Sequence, residues 1–287
     1  MTSGHRLTYA SLAAAVALLA VSTPAAAGSQ EAHAVPFIAV AKDALPDRDW
    51  EHKVCALASA RCGTTSQQDD SVKEPSLFRV KGDAPGGYYA ILPGPLLLQA
   101  SFASDTGWTI TQKWDFSDYE PEDRVTGDGD SPPLELYPAL YPVGDERFAV
   151  AVLARWTEGY AGGGGSWTNA DFVELEPNGK HASTPRVSRL PFSCAKSIRA
   201  CFSESDYKHF THCSDDFNGS LRLHFEPGAT AGKLDWIATW KETHWPGREP
   251  KSKTEHTSTS VKLPASQNSA AAGDSLRAQV PFCEPIN

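Results

Sequence analysis

The sequence has no cysteine before Cys55. A cysteine beside a signal cleavage site would be needed to accept a lipid, so no lipid anchor is expected. The apolar run at residues 13–21 is also too short to span a bilayer, which takes about 20 residues. Both absences predict that the chain is not inserted in a membrane once its N-terminal segment has been removed.

An excess of positive charge is also missing. Lys and Arg number 26 against 35 Asp and Glu, which gives a formal net charge of −9 at pH 7. Nucleic-acid binding relies on clustered Lys and Arg side chains, so a nucleic-acid partner is not expected. The acidic balance permits a cationic protein partner, but acidity more commonly serves only solubility.

Common enzyme motifs are absent from the sequence. It contains no Gly-x-Ser-x-Gly, no His-Glu-x-x-His and no dinucleotide-binding fingerprint, which are typical of many hydrolases and oxidoreductases. Ser193 and Lys196 match the Ser-x-x-Lys pattern of penicillin-recognising enzymes, but the partner motifs are missing and the match is interpreted as chance. No cofactor is expected, and an enzyme is less favoured than a binding protein.

The first 27 residues have the three parts of a secretory signal. His5 and Arg6 form a basic start, the apolar run follows, and Pro24 leads to three small alanines. Cleavage is predicted after Ala27. The mature chain is therefore expected to be exported, to a periplasm or out of the cell, where thiols oxidise.

All six cysteines lie in the predicted mature chain, and their even number indicates three disulfides; they are Cys55, Cys62, Cys194, Cys201, Cys213 and Cys283. Two pairs share a seven-residue offset, which is too long for a bond along one helix but suits a small non-helical loop. The predicted pairs are Cys55 with Cys62, Cys194 with Cys201, and Cys213 with Cys283. A metal site is disfavoured, because it needs reduced thiolates and usually closer spacing.

Two stretches lack the periodicity of regular structure. Residues 28–49 are rich in Ala, Pro and charge and are predicted to form a flexible N-terminal arm. Residues 264–278 are rich in Ser, Asn, Gly and Ala and are predicted to be a solvated connection. Residues 50–287 are expected to form a single β-rich domain, with a division near residue 190 as an alternative.

Strand signals dominate between those stretches. Short strands are predicted at residues 86–92, 96–102 and 107–114, and long hairpins at 147–176 and at 220–225 with 233–244. The early part of the first hairpin is apolar on both faces and is expected to be central in its sheet. One short helix is predicted at residues 203–210. The fold class is therefore mainly β, with antiparallel sheets that are sandwich-like or bladed, long Pro- and Gly-rich loops, about three disulfides and little helix.

The most unusual local sequence is a glycine run at the tip of the first hairpin. Glycines let a partner approach the backbone closely, and flanking aromatic rings offer contact surface of the kind found at binding hot spots. The predicted binding residues are Tyr160, Gly162, Gly163, Gly164, Gly165, Ser166 and Trp167, with Trp156 beside them. The alternative interpretation is a loose hairpin tip whose aromatic residues belong to the sheet.

Metal sites are weaker hypotheses. Acidic residues in the 115–130 stretch could bind calcium, but they lack EF-hand spacing and suit a solvated loop. Residues 215–219 resemble part of a calcium loop and are more simply interpreted as a turn. Zinc could bind if histidines converged, whereas surface histidines are the default interpretation; the candidates are His209, His212, His224 and His244.

Three functions remain open. The favoured one is an exported soluble binding or inhibitory protein that presents the loop at residues 159–167 to an envelope protein or glycan. The second is a cell-envelope hydrolase without a recognisable motif, which could use a metal. The third is a structural component of the envelope.

Overall fold

The structure is a computed structural model and describes residues 32–60, 62, 74–80, 87–121, 133–266 and 269–280. The predicted signal segment, residues 122–130 of the acidic stretch, and Cys283 lie outside the described residues.

Twelve strands and three α-helices make up most of the regular structure of the described residues. In chain order they are β1 (Val35–Ala39), α1 (Trp50–Ala58), β2 (Ser76–Val80), β3 (Gly87–Leu92), β4 (Leu96–Ala103), β5 (Gly107–Asp115), β6 (Leu134–Gly144), β7 (Arg147–Tyr160), β8 (Gly163–Glu174), β9 (Val187–Arg199), α2 (Glu204–His209), β10 (Ser214–Pro227), β11 (Leu234–Trp245), β12 (Glu255–Leu263) and α3 (Ser269–Arg277). Short 3₁₀ turns occupy Lys42–Ala44, Pro177–Gly179 and Lys251–Lys253. No helix among these residues has the length and apolar composition needed to cross a membrane.

The twelve strands belong to one antiparallel sheet. Its order is β12-β11-β10-β9-β8-β7-β6-β1-β2-β3-β4-β5, so strands that follow one another in the chain are mostly neighbours. The exception is β1, which lies between β6 and β2 and pairs with both. The prediction of a mainly β fold with antiparallel pairing and little helix is confirmed.

The two halves of the sheet cover opposite faces of its central strands. Ala149 of β7 belongs to an apolar cluster that also contains Trp236 of β11. Val150, which points to the other face, belongs to a second cluster with Trp114 of β5. Residues 149–154 of β7 are therefore buried on both faces, as the continuous apolar sequence there predicts.

A third apolar cluster holds α1 against the N-terminal strands. Trp50 and Val54 of the helix pack with Tyr88 of β3 and Leu98 of β4. The disulfide Cys55–Cys62 closes the segment after the helix, with Cα atoms 5.8 Å apart. This cysteine pair is confirmed.

The other two predicted cysteine pairs are wrong. Cys201 bonds to Cys213, with Cα atoms 5.0 Å apart, and Cys194 is also disulfide-bonded. Cys194 lies inside β9 and Cys201 lies beyond its end. An extended strand rises about 3.3 Å per residue, so β9 holds these two cysteines too far apart to bond. The sixth cysteine, Cys283, lies outside the described residues.

Both long hairpins and the short helix are confirmed. β8 pairs with β7 along its whole length, and β10 and β11 pair over twelve residues. The helix is α2, which begins with a capping box: Ser203 accepts the backbone N–H of Asp206, and Asp206 accepts that of Ser203. Local sequence signals were sufficient for these elements.

The N-terminal arm predicted at residues 28–49 contains a strand of the sheet. β1 pairs on both sides, and Phe37 packs against Phe78 of β2 and Tyr89 of β3, with ring centroids 5.8 and 4.6 Å away. The expectation of an arm that is flexible throughout is wrong, because long-range pairing orders a segment that has little local periodicity.

The connection predicted at residues 264–278 contains α3. Ala272 and Leu276 of this helix are fully buried in the cluster that contains Trp236. An ideal Cβ at Gly273 would lie 2.0 Å from the Ser188 carbonyl oxygen, so glycine lets the helix approach β9 closely. The stretch is thus a packed element, and the expectation of a solvated connection is wrong there.

Candidate binding site

The glycine run is part of the sheet. β8 begins at Gly163, and residues 163–166 pair with β7 on one side and with β9 on the other. The turn itself consists of Ala161 and Gly162. A Cβ atom added at Gly163 would lie 2.2 Å from the Ser197 carbonyl oxygen, so glycine permits close approach of β9. The expectation of a mobile loop at 159–167 is wrong, because pairing on both sides holds this backbone extended.

The aromatic residues of the predicted site divide between the sheet and the surface. Trp167 is partly buried, and its ring is parallel to that of Trp156 on β7, with centroids 6.1 Å apart. Tyr160, at the end of β7, keeps 41% of its surface exposed. Trp167 therefore belongs to the sheet, whereas Tyr160 is accessible at the hairpin end.

The hairpin end lies next to a second loop. Arg199, at the end of β9, donates its backbone N–H to the Gly162 carbonyl at 2.6 Å. The next residue, Ala200, donates to the Cys213 carbonyl at 2.9 Å. Residues 200–213, which connect β9 to β10, are called the tip loop below. A backbone hydrogen bond thus holds the predicted site against Arg199, the residue that precedes the tip loop.

A disulfide and a capping box constrain the tip loop. The bond between Cys201 and Cys213 joins its two ends. Within it, the Asp206 carboxylate accepts the backbone N–H of Phe202 at 3.0 Å and that of Ser203 at 3.1 Å. These hydrogen bonds, chiefly the one from Phe202, lower the pKa of Asp206 below its usual value of 3.8. An ionised carboxylate therefore fixes the first turn of α2.

Arg248 connects the tip loop to the segment after β11. Its Nε atom donates to the Ala200 carbonyl at 2.8 Å, and a terminal nitrogen lies 3.4 Å from the Asp206 carboxylate. Its guanidinium carbon is 5.6 Å from the ring centroid of Phe210. One cation thus contacts the loop before, within and after its short helix.

Three aromatic side chains of the tip loop face solvent. Phe202 exposes 74% of its surface, Tyr207 52% and Phe210 36%. The Tyr207 hydroxyl donates to the Cys201 carbonyl at 3.2 Å, so Tyr207 lies beside the backbone that carries Phe202. Phe202, Tyr207 and Phe210 are called the aromatic patch below. The patch occupies the same end of the sheet as the exposed Tyr160.

Stacked rings support the C-terminal end of the tip loop. The buried His212 imidazole stacks on the Trp245 indole, with centroids 3.5 Å apart and planes within 6°. Trp245 donates its Nε1–H to the Glu249 carbonyl at 3.0 Å, and the backbone N–H of Arg248 donates to the His212 carbonyl at 2.9 Å. The segment that carries Arg248 is therefore fixed against the loop it contacts.

A second histidine lies on the other side of β11. His244 stacks on Phe217 of β10, with centroids 4.1 Å apart, and its ring nitrogens are 3.7 Å from Asp215 and 3.6 Å from Glu255. Consecutive residues of a strand point to opposite faces, so His244 and the Trp245 ring that supports His212 are on different sides. These two histidines do not converge.

The other candidate metal ligands are dispersed. His209 Nδ1 lies 2.6 Å from the Ser205 carbonyl within α2, and His224 lies opposite Ile237 in the β10–β11 ladder. Across the described ranges, no group of three or more His, Cys, Asp or Glu side chains could hold a metal ion. These positions give no geometry on which to propose a zinc site.

Residues 215–219 form part of β10, so their interpretation as a turn is wrong. The strand is held by side-chain contacts at its start: Asp215 accepts the backbone N–H of Gly247 at 2.8 Å, and Asp216 accepts the Ser197 hydroxyl at 2.7 Å. Both carboxylates thus hold the start of β10 to neighbouring segments, Asp215 to the segment after β11 and Asp216 to β9.

Ser197, Asp216 and His212 bring a hydroxyl, a carboxylate and an imidazole near each other. Ser197 donates to one Asp216 oxygen, and His212 Nε2 is 3.6 Å from the other. A nucleophilic serine needs the imidazole as its hydrogen-bonded base, with the carboxylate behind it. Here the carboxylate stands between the two, so the arrangement does not indicate catalysis.

Sequence reasoning missed the aromatic patch as a binding surface. It identified the helix at residues 203–210 but placed the two flanking cysteines in different disulfides. The signal that was present is three aromatic residues within nine positions between Cys201 and Cys213, in a loop too short to bury them.

No protein-family model, no curated protein and no solved structure matches the chain.

Proposed function

We propose that the protein is an exported binding protein that docks a protein partner through the aromatic patch of its tip loop. The observation that carries the proposal is the exposure of Phe202, Tyr207 and Phe210 on a loop that a disulfide, a capping box and Arg248 hold in place. Large rings gain free energy when they leave water, and aromatic residues are enriched at binding hot spots. A fixed loop with such rings suits a contact surface.

Oxidised cysteines support the exported setting. The pairs Cys55–Cys62 and Cys201–Cys213 are disulfides, and such bonds persist mainly in oxidising compartments. The predicted secretory signal at residues 1–27 agrees with this setting. The partner is therefore to be sought in the cell envelope or outside the cell.

The restraints on the tip loop favour binding. Association costs free energy when a flexible loop has to be ordered, and a loop that is already ordered avoids that cost. In the tip loop, Cys201 is bonded to Cys213 and Asp206 fixes the first turn of α2, while Arg248 joins the loop to the segment after β11. The rings of the patch are consequently presented in a defined arrangement before a partner arrives.

The chemistry of the patch favours a protein over a glycan. Phe202 and Phe210 carry no polar side-chain atom, and the Tyr207 hydroxyl already donates to a backbone carbonyl. A specific glycan site needs polar groups that fix the ligand's hydroxyls, whereas protein interfaces combine an apolar centre with a polar rim. Glu204 and Lys208, both highly exposed beside the patch, supply such a rim.

Site-specific photocross-linking tests the proposal. A photoreactive phenylalanine analogue is placed at Phe202 and, in a matched control, at Leu57, an apolar residue of α1 that is 54% exposed. The purified, disulfide-bonded protein is irradiated in the exported fraction of its source cells. We expect one defined protein to be cross-linked from Phe202 and not from Leu57.

Two outcomes would contradict the proposal. One is the absence of any cross-linked protein from Phe202, and the other is the same products from both positions. Cross-linking of glycan material alone would support the glycan alternative instead. Turnover of glycan, peptide or ester substrates by the purified protein would support the hydrolase alternative.

A further inference from the structure

β12 forms an open edge of the sheet. Its nine residues, Glu255–Leu263, pair with β11 on one side. In the part of the chain that the structure describes, no segment makes backbone hydrogen bonds with its other side. Six of the nine residues are exposed. An edge of this length presents a row of N–H and C=O groups that can pair with another strand.

The C-terminal part of the opposite edge strand, β5, is in contact with neighbouring elements. Lys113 donates its Nζ to the Ala58 carbonyl of α1 at 2.8 Å, and Trp114 donates its Nε1–H to the Glu176 carbonyl at 3.0 Å. A Cβ added at Gly179 would lie 2.2 Å from the Lys113 carbonyl oxygen, so the turn there closely approaches the strand. The two edges of the sheet therefore differ in their access to a further strand.

The middle of β12 lacks the features that usually protect an edge. Natural edge strands are often interrupted by proline, a bulge or a charged side chain. Residues 257–261 have the sequence Thr-Ser-Thr-Ser-Val and pair with β11 without a register shift. Charge is confined to positions near the ends, at Glu255 and Lys262. The centre of the strand is thus regular and uncharged, and its side chains are small enough for another strand to pair with it.

We propose that β12 pairs antiparallel with β12 of a second copy of the chain, about a two-fold axis at Thr259. In this register Thr259 lies opposite Thr259 of the second copy. Ser258 of one copy lies opposite Ser260 of the other, and Thr257 lies opposite Val261. A two-fold axis perpendicular to the sheet requires paired residues to share a face. The register satisfies this condition, because paired positions differ by an even number of residues.

The residue pairs favour a second copy as the occupant. Ser–Ser, Thr–Thr and Thr–Val pairs are stabilising across antiparallel strands, through hydroxyl hydrogen bonds and the packing of β-branched side chains. At the ends, Glu255 faces Leu263, so the two carboxylates do not oppose each other. Lys262 faces His256, while its ammonium is held 3.1 Å from the Asp235 carboxylate of its own chain. Each copy thus offers the other a compatible strand over residues 256–262.

Charge reversal at the two-fold axis tests the proposal. Thr259→Lys and Thr259→Glu each place like charges opposite each other, whereas an equimolar mixture places Lys opposite Glu. Sedimentation equilibrium is expected to give a dimer for the wild type, a dimer dissociation constant raised about 100-fold or more for each variant, and recovery in the mixture. Thr109→Lys, on the exposed part of β5, is the matched control and is expected to remain dimeric.

The mixture also separates loss of pairing from loss of folding, because misfolded variants could not restore each other's dimer. A wild type that sediments at the protomer mass at every concentration would overturn the proposal. A dimer dissociation constant equal to that of the wild type in both Thr259 variants would overturn it as well. The inference concerns β12 alone and does not depend on the tip loop.

Discussion

The Nε atom of Arg248 donates a 2.8 Å hydrogen bond to the Ala200 carbonyl and so joins the segment after β11 to the first residue of the tip loop. The backbone of Arg248 has a φ of 66°, which non-glycine residues seldom adopt. Its surroundings therefore hold it in a conformation that it would not choose alone. This contact links the segment after β11 to the loop that carries the aromatic patch.

Removing the Arg248 side chain is expected to loosen the tip loop. Arg248→Ala removes a charged hydrogen-bond donor and a contact with Phe210, so the free energy of unfolding should fall by about 1–2 kcal/mol. Hydrogen exchange should become faster in residues 200–213. Arg248→Lys keeps the positive charge but lacks the Nε donor, so its effect should be intermediate. Unchanged exchange in Arg248→Ala would show that this contact does not hold the loop.

Removing the Cys201–Cys213 disulfide is expected to cost stability and binding together. Replacing both cysteines by serine opens a loop whose ends are twelve residues apart in the sequence. The free energy of unfolding should then fall by about 3 kcal/mol in urea denaturation. Partner binding should weaken because the loop must then be ordered on association. The control replaces Cys55 and Cys62 by serine and should lose stability while its folded fraction binds normally. Equal loss of binding in both double variants would contradict this.

Acidification is expected to release the first turn of α2. The pKa of Asp206 is lower in the folded protein than its usual 3.8, so ionisation is favoured by folding. The stabilisation is therefore fully present above pH 3.8 and is lost as the pH falls through the lowered value. Exchange of the Phe202 and Ser203 amide protons, corrected for intrinsic rates, should accelerate over that range. Asp206→Asn should remove this pH dependence, and its persistence in that variant would assign it to another group.

Gly219 is expected to tolerate no side chain. A Cβ atom there would lie 2.1 Å from Cζ2 of Trp240 and 2.8 Å from Sγ of Cys194, and both residues are buried. Gly219→Ala should therefore lower the free energy of unfolding by at least about 2 kcal/mol in thermal or urea denaturation. Gly159→Ala is the control, because a Cβ atom added at this position of β7 would have no atom within 4 Å, and it should change the free energy of unfolding by less than about 0.5 kcal/mol. Similar stability of the two variants would contradict this packing.

The elements that sequence patterns predicted are those with strong local signals. β7 and β8 have continuous or alternating apolar residues and end at a turn sequence, so their hairpin is visible in the sequence. α2 has a capping box, which is also local. In contrast, β12 is mostly Thr, Ser and charged residues, and only Val261 and Leu263 mark a buried face, so its structure depends on pairing with β11.

The sequence analysis named binding residues on the neighbouring hairpin and did not identify the aromatic patch. Tyr160 and Gly162 do lie at the end of the sheet that carries the tip loop, but residues 163–166 are held in the ladder. A glycine run predicts a flexible backbone only when no neighbouring strand pairs with it. The pairing of β9 with β8 cannot be recognised from the local sequence. The bond between Cys201 and Cys213 could not be predicted either. Cysteine spacing alone does not show that an extended strand separates Cys194 from Cys201.

The most direct test of the aromatic patch is a calorimetric titration of the cross-linked partner, once purified, against wild type, Phe202→Ala and Leu57→Ala. If the patch is the binding surface, Phe202→Ala should raise the dissociation constant at least about 30-fold, as loss of a hot-spot residue does, and Leu57→Ala should leave it nearly unchanged. Binding of Phe202→Ala as tight as that of the wild type would contradict the account.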